Sequence, residues 1–312
     1  MEKVTIIIPV YNVKDYIADC LHSVMSQTSM YAIECILVDD CGLDNSIEIA
    51  DNLIESYDGP IHFKILRQSY NQGPSAARNL GIKEAEGDYV FFLDSDDTLS
   101  SDCIELLYSL AQKYDADYVQ GSYADDNHSC ELPSFLSNKA EIKKLLLNHN
   151  KVQFTPHNRL VRRQMLIDNS LFFNEEIKVR EDFLWMTFVA KYVERLAYCS
   201  TPTYKRVYNE YSLTNNINKE REIKGYRVLI ETMVRNYDLF LLGHQKELAL
   251  EALIMALNAG YYHDASERQY LIDIVKSKNN FVENVLLALY LGTENSKVLH
   301  MLIRLYKTKD GL

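Results

Sequence analysis

The segment Val90-Phe91-Phe92-Leu93-Asp94-Ser95-Asp96-Asp97 constrains this chain more than any other. Four apolar residues read as a short buried strand. Three carboxylates follow within four residues, where that strand emerges. Concentrated negative charge is unfavourable unless a cation offsets it. Mg²⁺ or Mn²⁺ held against a phosphorylated ligand would do so, because such sites use one or two carboxylates together with substrate phosphates. A solvated acidic turn is the competing reading, and one D-x-D-D does not choose between the two.

The surrounding pattern supplies the frame. Val4-Thr5-Ile6-Ile7-Ile8-Pro9 reads as a buried strand ended by proline. A helix of about fifteen residues is expected next, capped by Asn12, with Ile17, Leu21, Val24 and Met25 on its apolar stripe. Strands are expected over Ile33 to Val38, Ile61 to Leu66 and Tyr89 to Leu93. Helices capped by Asp44 and opened by Ser75 lie between them. This alternation predicts an α/β fold, a mostly parallel Rossmann-like sheet with helices on both faces. Ligands of such sheets bind outside the carboxyl ends of the strands. Pro9-Val10-Tyr11, Asp39-Asp40 and Asp94 to Asp97 all follow strand ends, so three signals converge on one edge.

Past Ser100 the pattern predicts a helix to about Tyr114 and a strand at Tyr118 to Gln120. A polar loop from Asp125 to Pro133 and a helix near Ala140 to Asn148 follow. Mixed short strands then surround a helix around Phe183 to Tyr192. From about Asn218 the chain reads as helical. The expected division is a domain over 1–215, with a nucleotide-binding half of about 1–100 and an acceptor half of about 101–215, then a helical region over 216–312. The stretch Lys297 to Lys309 is basic and amphipathic. It can lie on an anionic membrane as a peripheral contact, or pack as a terminal helix with a solvated cationic edge, the commoner use.

Composition excludes several classes. A net charge of -11 argues against a broad nucleic-acid-binding face. No run reaches the ~18 apolar residues of a membrane span, and Met1-Glu2-Lys3-Val4 has no signal-peptide pattern. The 6 cysteines show no C-x-x-C spacing, which points to a reducing cytoplasm rather than a zinc site or disulfide framework. Neither G-x-G-x-x-G nor G-x-x-x-x-G-K-[ST] follows the first strand, so dehydrogenase and ATPase readings are weak.

Individual residues carry the chemistry further. Tyr11 can stack on a base, and the backbone near Pro9 can hydrogen-bond its edge. Asp40 can accept from an imide N–H such as that of uracil; a turn cap is the competing role. Gly73-Pro74-Ser75-Ala76-Ala77-Arg78 is a turn entering a helix of small residues, which permits close packing on the sheet. Arg78, one turn inside, suits a diphosphate or a neighbouring aspartate.

Four blocks in order resemble the family 2 glycosyltransferases of the GT-A fold, in particular those of bacterial polysaccharide synthesis. They are Thr5 to Asn12, Ile36 to Asp40, Ser75 to Gly81 and Phe92 to Asp97, and the resemblance runs from the start to about Asn215. It implies an inverting, metal-dependent transfer from a nucleotide-sugar, UDP-linked by preference, to a saccharide or lipid-linked saccharide hydroxyl. By the same resemblance Asp40 reads the uracil, Asp39 supports that loop, and Pro9 and Tyr11 hold the base and ribose. Asp94 lies near the ribose, Asp96 binds Mn²⁺ or Mg²⁺, Asp97 joins through a metal-bound water, and Arg78 lies near the nucleotide. Glu181-Asp182 matches the family's Glu-Asp motif, which makes Asp182 the expected base; an N-cap is its competing role. Asn158-Arg159-Leu160 matches an Asn-Lys-Leu block whose usual preceding tryptophan is His157 here. A second departure is Asp39-Asp40-Cys41-Gly42 in place of Asp-Asp-Gly-Ser. Trp185 can stack on a sugar, although a core role suits its neighbours Phe183 and Leu184 better. These departures motivate the alternative reading, a catalytically inactive scaffold of the same fold in a polysaccharide assembly complex.

Overall fold

The computed structural model describes residues 3–124, 132–147, 152, 155–177 and 181–210. The expected helical region over 216–312, its basic stretch and most of the expected polar loop lie outside them.

Strands β1 (Lys3–Val10), β2 (Ala32–Asp39), β3 (His62–Arg67) and β4 (Tyr89–Phe92) form a parallel sheet in the order β3-β2-β1-β4. Beyond β4 the sheet is mixed. It continues with β8 (Arg159–Arg162), antiparallel to β4, then β6 (Tyr118–Tyr123), β9 (Leu196–Lys205) and β5 (Thr98–Leu99), while β7 (Phe135–Leu136) also pairs with β9.

Period-2 alternation in β1 explains the layers. Val4, Ile6, Ile8 and Val10 face one core with α1 (Ile17–Met25), α2 (Ser46–Glu55) and α4 (Cys103–Tyr114). Ile7 faces the other, with α3 (Pro74–Glu84), α5 (Lys139–Leu146), α6 (Arg163–Asp168) and α7 (Glu181–Tyr192). Both faces of the parallel half are therefore covered, as its near-continuous apolar strands require.

Several expected boundaries move. Pro9 does not end β1, which runs on to Val10. Leu93 N donates to Ile7 O, so Ile7 turns its backbone groups toward β4. Pro9, two residues on, faces the same way past the last β1–β4 pair, and its missing N–H costs no ladder bond. Asn12 does not cap α1, which spans 9 residues and begins at Ile17. Asn12 instead takes the left-handed conformation and its Oδ1 accepts from Leu43 N at 2.7 Å. Asp44 is not the N-cap of α2, which is Asn45 without a side-chain cap bond; Asp44 stands one residue earlier, its Oδ1 accepting from Ser46 N at 3.1 Å and its Oδ2 from Lys14 N at 2.9 Å. Trp185 is a core residue, stacked on Phe173 with its Nε1 donating to Leu171 O.

The small residues of α3 bring that helix against β1. A Cβ on Gly81 would lie 2.3 Å from Ile7 Cγ2. Gly81→Val should therefore lower stability by about 1–3 kcal/mol through overpacking, read as a lower urea midpoint with an unchanged slope.

Candidate active site

The loops after β1 and β2 are laced together. Asp40 N donates to Val10 O at 3.0 Å, and Val13 N donates to Ser46 Oγ at 2.9 Å. A Cβ on Gly42 would lie 2.9 Å from Asn12 N, so this glycine is needed for the close approach. Its neighbour Cys41 carries the left-handed conformation at φ 58, steadied by N–H donation to Asp39 Oδ1 at 2.9 Å and Sγ–H donation to Gln68 O at 3.0 Å. At the departure from Asp-Asp-Gly-Ser, the left-handed position of this turn is therefore occupied by a side chain, that of Cys41.

This lacing shapes a small open depression lined by Val10, Tyr11, Asn12, Asp39, Gly42, Asp44, Ser46 and Ile47. Tyr11 is among the exposed large side chains and Asp39 is half-buried there; Pro9 lies just below, in β1 opposite Val38. Asp40 is 3% exposed and turned the other way. Its Oδ1 accepts from Gln68 Nε2 at 2.8 Å and Gln72 N at 2.7 Å, and its Oδ2 from Gly73 N at 2.8 Å. It ties β2 to the turn that opens α3, so of the two aspartates Asp39 is the one that lines the depression.

Helix α3 delivers the central cation. Gly73 at φ 91 and Pro74 at the first helical position set its start. Arg78 is then buried between two acidic elements. Its Nη2 donates to Asp94 Oδ1 at 3.0 Å, its Nη1 lies 3.8 Å from Glu181 Oε1, and Phe173 sits under its guanidinium. Burial works against its charge, but Asp94, Glu181 and Asp182 outweigh burial and raise its pKa. Nε and Nη1 of Arg78 are buried without a hydrogen-bond partner among the described residues. Asn79, the next residue, exchanges hydrogen bonds with the backbone of Phe173 and so holds the segment leading to α7.

The acidic turn after β4 is gripped from several sides. His157 Nδ1 lies 2.9 Å from Asp94 Oδ2. Against burial, which would raise it, His157 and Arg78 hold the Asp94 carboxyl well below the usual range. Burial lowers the His157 pKa despite Asp94, so Arg78 is the fixed counter-charge of Asp94. Asp96 Oδ2 accepts from Asn209 Nδ2 at 2.9 Å. Asp97 accepts from Tyr204 Oη at 2.7 Å and Val207 N at 2.8 Å. Burial first, then the charges of Asp94 and Asp96, push the Asp97 carboxyl up to about 7.

One oxygen each of Asp94 and Asp97 and a ring nitrogen of His157 lie within 4.8 Å of one another. Two carboxylates and an imidazole fit Mn²⁺, and the carboxylates alone fit Mg²⁺. Asp96 is outside that group of three and Asp97 is inside it. Asp182 is the second residue of α7, half-buried, its Oδ1 accepting from Phe183 N at 2.7 Å; this bond to the next residue is not an N-cap bond, and the carboxylate lies close enough to Arg78 to raise its pKa. The expected site residues therefore gather at one edge, with Asp40 turned to Gln68, Gln72 and Gly73 and Asp96 to Asn209. His157 and Arg159 were legible only as a departure and a motif match. Tyr204, Val207 and Asn209 had no signal, because they reach the turn from more than 100 residues away.

Residues 5–169 match the model of glycosyl transferase family 2. The chain belongs to this family. Among its relatives, glycosyltransferase GlyA of Streptococcus pneumoniae is 40% identical over 128 residues, which make up 41% of this chain and 18% of that protein. The poly(ribitol-phosphate) β-N-acetylglucosaminyltransferase TarP of Staphylococcus aureus is 28% identical over 225 residues, 72% of this chain and 66% of TarP. The chain spans less than half the length of several of these relatives. The structure of S. aureus TarS 1–349 in complex with UDP-GlcNAc aligns with a TM-score of 0.63 at 20% identity, covering 99% of this chain and 92% of that one. The fold is therefore that of the GT-A glycosyltransferases. No helix among the described residues is long and apolar enough to cross a membrane.

Two predictions arise from the gripped turn. Arg78→Met leaves half-buried Asp94 and Glu181 without their buried counter-charge and should cost about 1–3 kcal/mol in chemical denaturation. Asp97 binds its proton more tightly when folded, so it favours the folded state at low pH. That contribution is lost as pH rises from about 4, the unfolded value, to about 7. In EDTA, melting curves of the native chain should show this decline more steeply than those of Asp97→Asn.

Proposed function

We propose that this protein is an inverting, metal-dependent glycosyltransferase that moves a sugar from a UDP-sugar to a hydroxyl of a saccharide or lipid-linked saccharide in bacterial surface polysaccharide synthesis. The observation that carries the reading is the convergence of Asp39, the Asp94 to Asp97 turn and Asp182 at one sheet edge, with Arg78 between the last two. The names of TarS, TarP and the UDP-GlcNAc complex support the donor and the acceptor class.

In this reading Tyr11 stacks on the base and Asp39 accepts from its imide N–H at the depression, with Asp40 holding the turn behind it. Asp94, fixed by Arg78 and His157, meets the ribose. Asp94, Asp96 and Asp97 present the acidic edge to the diphosphate. This turn would hold a Mn²⁺ or Mg²⁺, which would offset the charge that develops on the leaving UDP. Arg78 has two donor nitrogens, Nε and Nη1, without a hydrogen-bond partner among the described residues and adds a fixed positive charge beside that leaving group. Asp182 takes the proton from the acceptor hydroxyl as its oxygen attacks the anomeric carbon opposite UDP, which inverts the configuration there. Its place on the first turn of a packed helix holds the carboxylate in one orientation for this transfer.

Calorimetric titration should show UDP binding that requires Mn²⁺ and is lost in EDTA, with GDP weaker. Asp182→Asn should retain UDP binding while transfer from a UDP-sugar falls about 10²–10⁴-fold. Absence of UDP binding in both conditions, or full transfer by the well-folded variant, would overturn the reading.

A further inference from the structure

His157 stands where family members commonly carry a tryptophan, and its surroundings are built around its nitrogen rather than its bulk. The ring is 7% exposed. It stacks on Tyr204 at 4.9 Å and 16° and meets Tyr123 edge-on at 5.7 Å. Its backbone is pinned as well: it bridges Phe92 at the end of β4, and its carbonyl accepts from Tyr123 Oη and Arg159 Nη1. A ring so held cannot turn away, and Nδ1 is directed at Asp94 Oδ2 at 2.9 Å. Nε2 is buried without a hydrogen-bond partner among the described residues. An apolar ring would fill the same slot without desolvating two nitrogens. What the imidazole adds is a nitrogen, Nδ1, beside two carboxylates, able to bind a cation once its proton moves to Nε2.

Tyr204 braces two members of the group at once. Its ring is the stacking surface for His157, and its hydroxyl donates to Asp97 Oδ2 at 2.7 Å. Outer partners of this kind orient the ligands of metal centres. Asp97 retains acceptor capacity among the described residues, because a carboxylate has about four lone-pair sites and Tyr204 and Val207 take two of them.

We infer that His157 is a direct ligand of the divalent cation, alongside Asp94 and Asp97, and that it biases the site toward imidazole-accepting cations such as Mn²⁺ over Mg²⁺ and Ca²⁺. This inference rests on the metal-dependent donor site proposed above. A cation takes the neutral imidazole: with Nδ1 on the metal the ring proton resides on Nε2, so ligation of the neutral ring needs a change of tautomer and no net proton release. The preference follows from ligand chemistry, since imidazole suits the later first-row metals whereas Mg²⁺ and Ca²⁺ select oxygen.

Pulsed electron paramagnetic resonance of the full chain loaded with Mn²⁺, alone and with UDP, reads this contact directly. The expected result is a nitrogen coupling from a bound imidazole that disappears in His157→Phe, which keeps the stacked ring. Titration of the same variant should show Mn²⁺ affinity reduced by at least about tenfold, with a smaller change for Mg²⁺. Bound Mn²⁺ without nitrogen coupling in the native chain, or coupling that persists in His157→Phe, would overturn the inference and leave the donor-site reading standing. No Mn²⁺ binding with or without UDP would overturn both.

Discussion

The buried guanidinium of Arg78 is the interaction on which the rest of the site depends. It is the fixed positive charge between the acidic turn after β4 and the acidic first turn of α7. Without it, Asp94 and Glu181 would be half-buried carboxylates facing a low-dielectric region with no permanent counter-charge. Three features of α3 make this placement possible. Pro74 and Gly73 set where the helix begins, Gly81 lets it approach β1, and Asn79 ties it to the segment around Phe173. The run Ser75-Ala76-Ala77-Arg78-Asn79-Leu80-Gly81 therefore works as one mechanical unit: small residues for approach, a cation for charge, an amide for docking and a glycine for clearance.

The second half of the sheet serves the first. Strand β9 crosses the edge next to β5 and carries Tyr204 under the Asp94 to Asp97 turn, and the chain just beyond it adds Val207 and Asn209. Strand β8, antiparallel to β4, brings His157 to the same turn. Asn158, in the left-handed region, sits where Gly121 leaves no room for a Cβ, and its Oδ1 accepts from Thr203. The polar residues of the Asn158-Arg159 block are thus buried braces for the wall behind the turn, which explains why they are charged or amidic yet hidden from solvent.

Much of the parallel half was legible in the amino-acid order. Continuous apolar strands, intervening amphipathic helices and turn residues at strand ends specify a parallel α/β sheet by local periodicity alone. They also place Asp39, Asp94 and the neighbouring acids at the carboxyl edge. Capping roles were less legible. Asn12 and Asp44 are good caps by type, but Asn12 is drawn to Leu43 by the adjoining loop, an effect no local pattern contains. The short strands β5 and β7 were missed because two residues carry no periodicity, and each forms only against β9.

The sequence by itself determined the parallel half of the sheet, its carboxyl edge and the residue types gathered there, because these follow from spacing within segments of about ten residues. Only the tertiary structure decided which oxygen meets which partner. Asp40 turns inward because the backbone of Gln72 and Gly73 reaches it, leaving Asp39 at the depression. Asp96 turns to Asn209, and Asp97 joins Asp94 and His157, because strands more than 60 residues away pack against the turn. Side-chain direction and desolvation depend on those long-range neighbours, and neither can be read from the order of residues along the chain.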